Sequence, residues 1–172
     1  MKYLLLILLM QLSFSVSAVY DLPTEYEYDE DEDVLPYVEI KYATDLSHLA
    51  EVARSEGKII LLEISASYCD YCDMLEEEFI KPMLRNDDYT GHVLIRKIDM
   101  DSYYTISDFS GDKTTPDKFT RHLKVQLTPT LLFFDGNGNE VSQRILGINS
   151  IDLYGGYLDD ALKTGLQKIR SQ

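Results

Sequence analysis

Leu61-Leu62-Glu63-Ile64-Ser65-Ala66-Ser67-Tyr68-Cys69-Asp70-Tyr71-Cys72 is an apolar run of strand length that ends in the chain's only two cysteines. A helical pattern follows, so both sulfurs fall at a strand-to-helix junction. There the first sulfur meets unpaired backbone N–H groups and the positive end of the helix dipole. Both favour the thiolate, the form that attacks a disulfide. Cys72 lies one turn further on, within closing distance. Two other uses of the pair are weaker. A structural staple across so short a loop removes little entropy from the unfolded chain. A zinc site needs about four ligands, and the remaining candidates, His48, His92 and His122, are scattered without paired spacing. The expectation is a reversible dithiol/disulfide couple, with no metal and no cofactor beyond the Cys69–Cys72 disulfide.

Upstream of this junction, Thr44 or Asp45 can cap a helix whose apolar positions Leu46, Leu49, Ala50 and Ala53 recur at helical spacing up to Gly57. Before it, Tyr37 to Tyr42 reads as a short first strand, and Ile59 to Ser65 as a second. Beyond the cysteines, Met74, Leu75, Phe79 and Leu84 support a helix from Cys72 to Asn86, with Glu76, Glu77 and Glu78 early in it and Pro82 kinking or ending it. Val93 to Ile98 is the expected sheet neighbour of the second strand. Residues 101–117 read as a polar loop, and Lys118 to Lys124 as a short helix. Tyr103, Tyr104 and Phe109 in that loop suit surface packing better than substrate contact. Thr128 to Asp135 is a buried-strand run, turned by Gly136-Asn137-Gly138-Asn139 into a second run from Glu140 to Leu146. A last helix from Ser150 to Ile169 carries Ile151, Tyr154, Leu158, Ala161, Leu162, Leu166 and Ile169 on one face. This order describes an α/β fold with a mixed sheet flanked by helices.

The N-terminus has Lys2, then an uncharged apolar stretch into Val19, with small residues at Val16-Ser17-Ala18. Residues 1–18 therefore read as a signal peptide for secretion; an uncleaved anchor is the alternative, since about 18 such residues approach a spanning length. Either places the cysteines in an oxidising compartment. Residues 19–36 form an acidic segment, with eight acidic and no basic side chains from Asp21 to Asp33. It reads as a disordered, solvated spacer or, less simply, as a partner-binding tail. The net charge of −14 argues against nucleic acid as a partner, because binding it needs a basic surface. Residues 37–172 are long enough for one domain with a real core.

Four features together resemble the thioredoxin superfamily: Leu62-Glu63 just before the cysteines, the Cys69-Asp70-Tyr71-Cys72 junction, Thr128-Pro129-Thr130 ahead of Leu-Leu-Phe-Phe, and Gly147 after the hairpin. The likeness spans roughly Tyr37 to Ile169, and is nearest in character to secreted bacterial thioredoxins of the sulfur-oxidation, SoxW-like type. It implies a thioredoxin fold with Cys69 as nucleophile, Cys72 as resolving thiol and Pro129 as a cis-proline. The backbone of Thr128 would pair with the substrate chain, beside Tyr68, Asp70 and Tyr71. Glu63 would stand where thioredoxins keep a buried aspartate. A carboxyl buried beneath two thiols has a raised pKa and can take the proton of Cys72; the other reading is a surface glutamate on a strand edge.

Departures from the family pattern set the expected direction of the chemistry. Tyr68 replaces the usual tryptophan and Asp70-Tyr71 replaces Gly-Pro. An acid beside Cys69, with no histidine or lysine inside the motif, disfavours the thiolate that strong oxidants stabilise. The expected function is thus a periplasmic thiol-disulfide oxidoreductase that reduces disulfide-bearing protein substrates. The chain is expected to act as a monomer and to be re-reduced by a membrane-linked thiol donor. The rival is a thioredoxin-fold binding or chaperone-like module whose cysteines stay oxidised.

Overall fold

A computed structural model describes residues 35–171; the expected signal peptide and nearly all of the acidic segment lie outside the described residues. Helix α1 (Leu46–Glu56) starts where Asp45 accepts the His48 N–H, and it stops at Gly57, whose φ of 64° suits a residue without a side chain. Strand β1 (Ile59–Ser65) follows and is buried along its whole length. It pairs in parallel with β2 (Val93–Asp99) and antiparallel with β5 (Thr130–Phe134), which in turn carries β6 (Ile145–Leu146). The strand order β2-β1-β5-β6 makes the mixed sheet expected from the sequence.

Alternation along β1 divides the core in two. Ile60, Leu62 and Ile64 face α1 and α5 (Pro116–His122), where Leu46, Leu49 and Phe119 lie. Ile59 and Leu61 face the opposite layer, with Leu75, Ile80 and Met83 from the helices after the cysteines. That layer also holds Tyr154, Leu158 and Leu162 from α6 (Ile151–Arg170). Complete burial of an aliphatic side chain such as Leu61 contributes about 1.5–3 kcal/mol. With β1 covered on both sides, the strand end is a rigid base for whatever the chain attaches to it.

The helix after the cysteines is built in pieces. Helix α2 (Asp70–Leu75) passes into a π-helical turn (Glu76–Ile80) and then α3 (Lys81–Leu84). Pro82 therefore does not end the helix. Proline inside a helix loses one hydrogen bond and crowds the carbonyl four residues back; the frame widens just before it, where the Lys81 N–H reaches back to the Glu76 carbonyl. A separate short helix, α4 (Asp87–Thr90), is capped by Asn86.

Several expectations need correction. Tyr37 to Tyr42 forms no strand; its only backbone pairing with the sheet is an isolated bridge from Tyr42 to Lys97. The run from Glu140 to Leu146 keeps only β6 and a bridge at Glu140; in the turn before it, Asp135 accepts the Asn137 and Asn139 N–H groups. Residues 101–117 hold a two-stranded ladder, β3 (Ile106–Ser107) and β4 (Lys113–Thr114), and the next helix starts at Pro116 rather than Lys118. Ile151 is exposed at the start of α6.

Candidate active site

The end of β1 delivers the motif. After Ser65 the chain turns, the Cys69 N–H bonding the Ala66 carbonyl at 3.2 Å, and α2 begins at Asp70. Cys69 is the N-cap of α2, and its Sγ accepts the Cys72 N–H at 3.2 Å. The helix start thus spends one of its unpaired donors on the first sulfur, as thiol chemistry requires. Cys69 and Cys72 are disulfide-bonded, with Cα atoms 5.2 Å apart. They differ in access: Cys69 is half-buried, whereas Cys72 is only 1% exposed. Tyr68, Asp70 and Tyr71 are exposed around them. The first turn of α2 carries Asp70 and Asp73 and no basic residue; Glu76, Glu77 and Glu78 belong to the later π turn.

Thr128 and Pro129 come to the same end of the sheet, because β5 is antiparallel to β1 and Thr130 sits opposite Ile64. The Thr128–Pro129 bond is cis. Pro129 is buried, and its carbonyl accepts the Gly147 N–H at 2.8 Å. Thr128 is half-buried beside it.

Glu63 is wholly buried, on the face of β1 shared with Ile59 and Leu61. Neither carboxyl oxygen has a hydrogen-bond partner. Burial, reinforced by the charge of Glu76, pushes its pKa from 4.5 up to about 8. Lys97, opposite Glu63 across β1 and β2, opposes that rise. Its ammonium nevertheless bonds Glu76 Oε1 at 2.8 Å. Burial pulls the Lys97 pKa down, but the hydrogen bond and charge of Glu76 outweigh it and hold the ammonium well above its usual range.

Sequence reasoning missed two contributors. Asp101 binds the segment leading into the motif: its carboxylate accepts the Ser67 N–H at 3.1 and 3.3 Å and the Ser67 hydroxyl as well. The Ser67 hydroxyl holds the Asp101 carboxyl below the ordinary range. Lys97 was the other, and only the strand register reveals it. Of the three aromatic residues in the insertion, Tyr104 and Phe109 pack against the α1 core, while Tyr103 is 98% exposed. Among the described residues, no group of three or more His, Cys, Asp or Glu side chains is placed to hold a metal ion.

A mixed sheet between two helical layers, with a cysteine pair at the start of the helix that follows its central strand and a cis-proline loop at the same end, defines a thioredoxin-type dithiol domain. The chain belongs to the thioredoxin-like domain family, whose model matches residues 46–162. It is 27% identical over 118 residues to the thiol:disulfide interchange protein DsbD of Tatumella citrea, covering 67% of this chain and 18% of that protein. It is 26% identical over 128 residues to DsbD of Shigella boydii, covering 73% and 20%. The match spans about a fifth of the length of these relatives. Among solved structures, oxidised mitochondrial thioredoxin 3 of Saccharomyces cerevisiae aligns over 70% of this chain and 94% of its own, at 18% identity and a TM-score of 0.46. The CxxC pair, the family match and the similarity to DsbD are consistent with thiol-disulfide exchange.

Proposed function

We propose that this domain reduces disulfides in protein substrates, with Cys69 as nucleophile, Cys72 as resolving thiol and Glu63 as proton acceptor. The observation that carries this is the asymmetry of the pair: Cys69 caps α2 at the surface, and Cys72 is shut inside. In the reduced protein the Cys69 thiolate attacks one sulfur of the substrate disulfide; a mixed disulfide forms, and the other substrate sulfur leaves with its electron pair. Cys72 then gives its proton to the Glu63 carboxylate, and its sulfur attacks Cys69 Sγ. The mixed disulfide breaks, the second substrate sulfur leaves as a thiolate, and both electrons have come from the dithiol. With a pKa near 8, Glu63 keeps an ionised fraction at neutral pH and binds the proton firmly once transferred. Tyr68, Asp70 and Tyr71 form the surface around the attacking sulfur, and the Thr128 backbone pairs with the extended substrate chain beside Pro129.

The finer assignment extends to place and partners. Residues 1–18 direct secretion across the inner membrane, the domain works as a periplasmic, SoxW-like thioredoxin, and a membrane-linked thiol donor restores the dithiol. Dithiothreitol-driven reduction of insulin tests the activity. Turnover by the wild type and its loss in Cys69→Ser are expected. A wild type that binds polypeptides without turnover would support the binding-module reading instead.

A further inference from the structure

Tyr154 of the last helix lies in the core layer that the Glu63 face of β1 packs against. Close packing places α6 against β1. A side chain added at Gly165 would meet Ile59 Cδ1 at 2.8 Å, so that end of the helix lies on the start of the strand. Eleven residues earlier in α6 is Tyr154, about 16 Å away along the helix axis. Four residues further along β1 is Glu63, about 13 Å from Ile59. Laid antiparallel on β1, a helix with these rises brings Tyr154 to the level of Glu63; Tyr154 belongs to the core layer of Ile59 and Leu61, the β1 face that also carries Glu63. Tyr154 is 1% exposed, and its ring packs on Phe79 with centroids 4.9 Å apart.

Tyr154 Oη, like both Glu63 oxygens, is buried without a hydrogen-bond partner. The other charges that act on Glu63 come from Glu76, Lys97, Asp99 and Asp73. Three are carboxylates that repel its ionised form, and the ammonium of Lys97 is bonded to Glu76. The phenol is the neutral donor in the same layer. Burial, with the charge of Glu63 added, raises the Tyr154 pKa, so the phenol keeps its proton and remains a donor throughout the neutral range.

We propose that Tyr154 is a positioning residue for the resolving step: its phenolic O–H donates to the Glu63 carboxylate whenever Glu63 is ionised, and so eases ionisation of the proton acceptor. The inference rests on Glu63 as the acceptor of the Cys72 proton and adds the group that keeps that acceptor available. A hydrogen bond to a charged group stabilises the charged form, so removing it makes the acid weaker.

The test is carboxyl-carbon NMR of Glu63 in the oxidised protein, assigned with Glu63→Gln, across its titration. In Tyr154→Phe, which keeps the ring on Phe79, the midpoint should rise by about one pH unit, a roughly tenfold weaker acid. In the wild type, the Tyr154 ring carbon that bears the hydroxyl should shift with the same midpoint as Glu63. An unchanged Glu63 midpoint in Tyr154→Phe, or a Tyr154 signal indifferent to the Glu63 titration, would overturn the assignment. Both readings are made without turnover, so failure of the wild type to reduce insulin would count against the proposed function and leave this result standing on its own.

Discussion

Lys97 stands directly across the parallel pair β1/β2 from Glu63, yet its ammonium is bonded to Glu76 rather than to Glu63. The available cation is thus committed to the acid on the helix, and the acid on the strand is left without a hydrogen bond. Burial then decides the protonation of Glu63, and its pKa rises to about 8.

This rise has a consequence for stability. The folded-state pKa lies above the unfolded value, so the folded protein binds the extra proton between about pH 4.5 and about pH 8. The associated stability is present below that window and is lost as pH rises through it. Denaturant unfolding should show a loss on the order of a few kcal/mol from about pH 5 to about pH 9. Glu63→Gln should be markedly flatter over the same range. Wild-type stability that does not fall there would contradict a buried, proton-holding Glu63.

The Lys97–Glu76 pair should tune Glu63 with opposite signs from its two ends. Glu76→Gln removes the largest repelling charge and should lower the Glu63 midpoint, whereas Lys97→Met removes the opposing cation and should raise it. Each displacement should be about one pH unit, given the partial burial of the pair. Carboxyl-carbon NMR reads both, and displacements of the same sign would show that the two residues act on Glu63 only through packing.

Asp101 should order the approach to the motif through its bonds to Ser67. Amide exchange at Ser67 is expected to be about tenfold faster in Asp101→Ala, since an N–H bond to a carboxylate is lost. Asp101→Asn, which retains an acceptor, should recover much of the protection. Equal exchange in all three proteins would mean that the loop is held by other contacts.

Much of this architecture is legible in the chain because local signals agree with the fold. Asp45 and Gly57 bracket α1, and the run into Cys69 marks both β1 and the start of α2. The side of Glu63 is not legible, since β1 is buried on both faces and shows no polar alternation to read. Tyr37 to Tyr42 has strand formers but nothing to pair with beyond the Tyr42 bridge, so composition misleads there. The π turn and the Asp101–Ser67 bond come from tertiary contacts that no spacing rule encodes. Tyr154 falls on the apolar face of the last helix, but its relation to Glu63 becomes visible only with the helix laid on the strand.

The unequal access of the two sulfurs is directly testable. With limiting iodoacetamide and reduced protein, peptide mapping should find Cys69 alkylated well before Cys72, which is only 1% exposed. Cys72→Ser should then accumulate mixed disulfides through Cys69. Preferential labelling of Cys72 would reverse the roles assigned to the pair.

The reduction potential measures the direction of electron flow. Acidic Asp70 and Asp73 occupy the first turn of α2, and α2 holds no basic residue, which disfavours the Cys69 thiolate and hence a strongly oxidising couple. Equilibration of the Cys69–Cys72 couple with glutathione should place its potential nearer the thioredoxin value of about −270 mV than the strongly oxidising limit of about −120 mV. Asp70→Asn should move it towards the oxidising side by at most about 30 mV, because Asp70 is exposed and screened by solvent. A wild-type potential close to about −120 mV would mean that the domain introduces disulfides, and would contradict its assignment as a reductase.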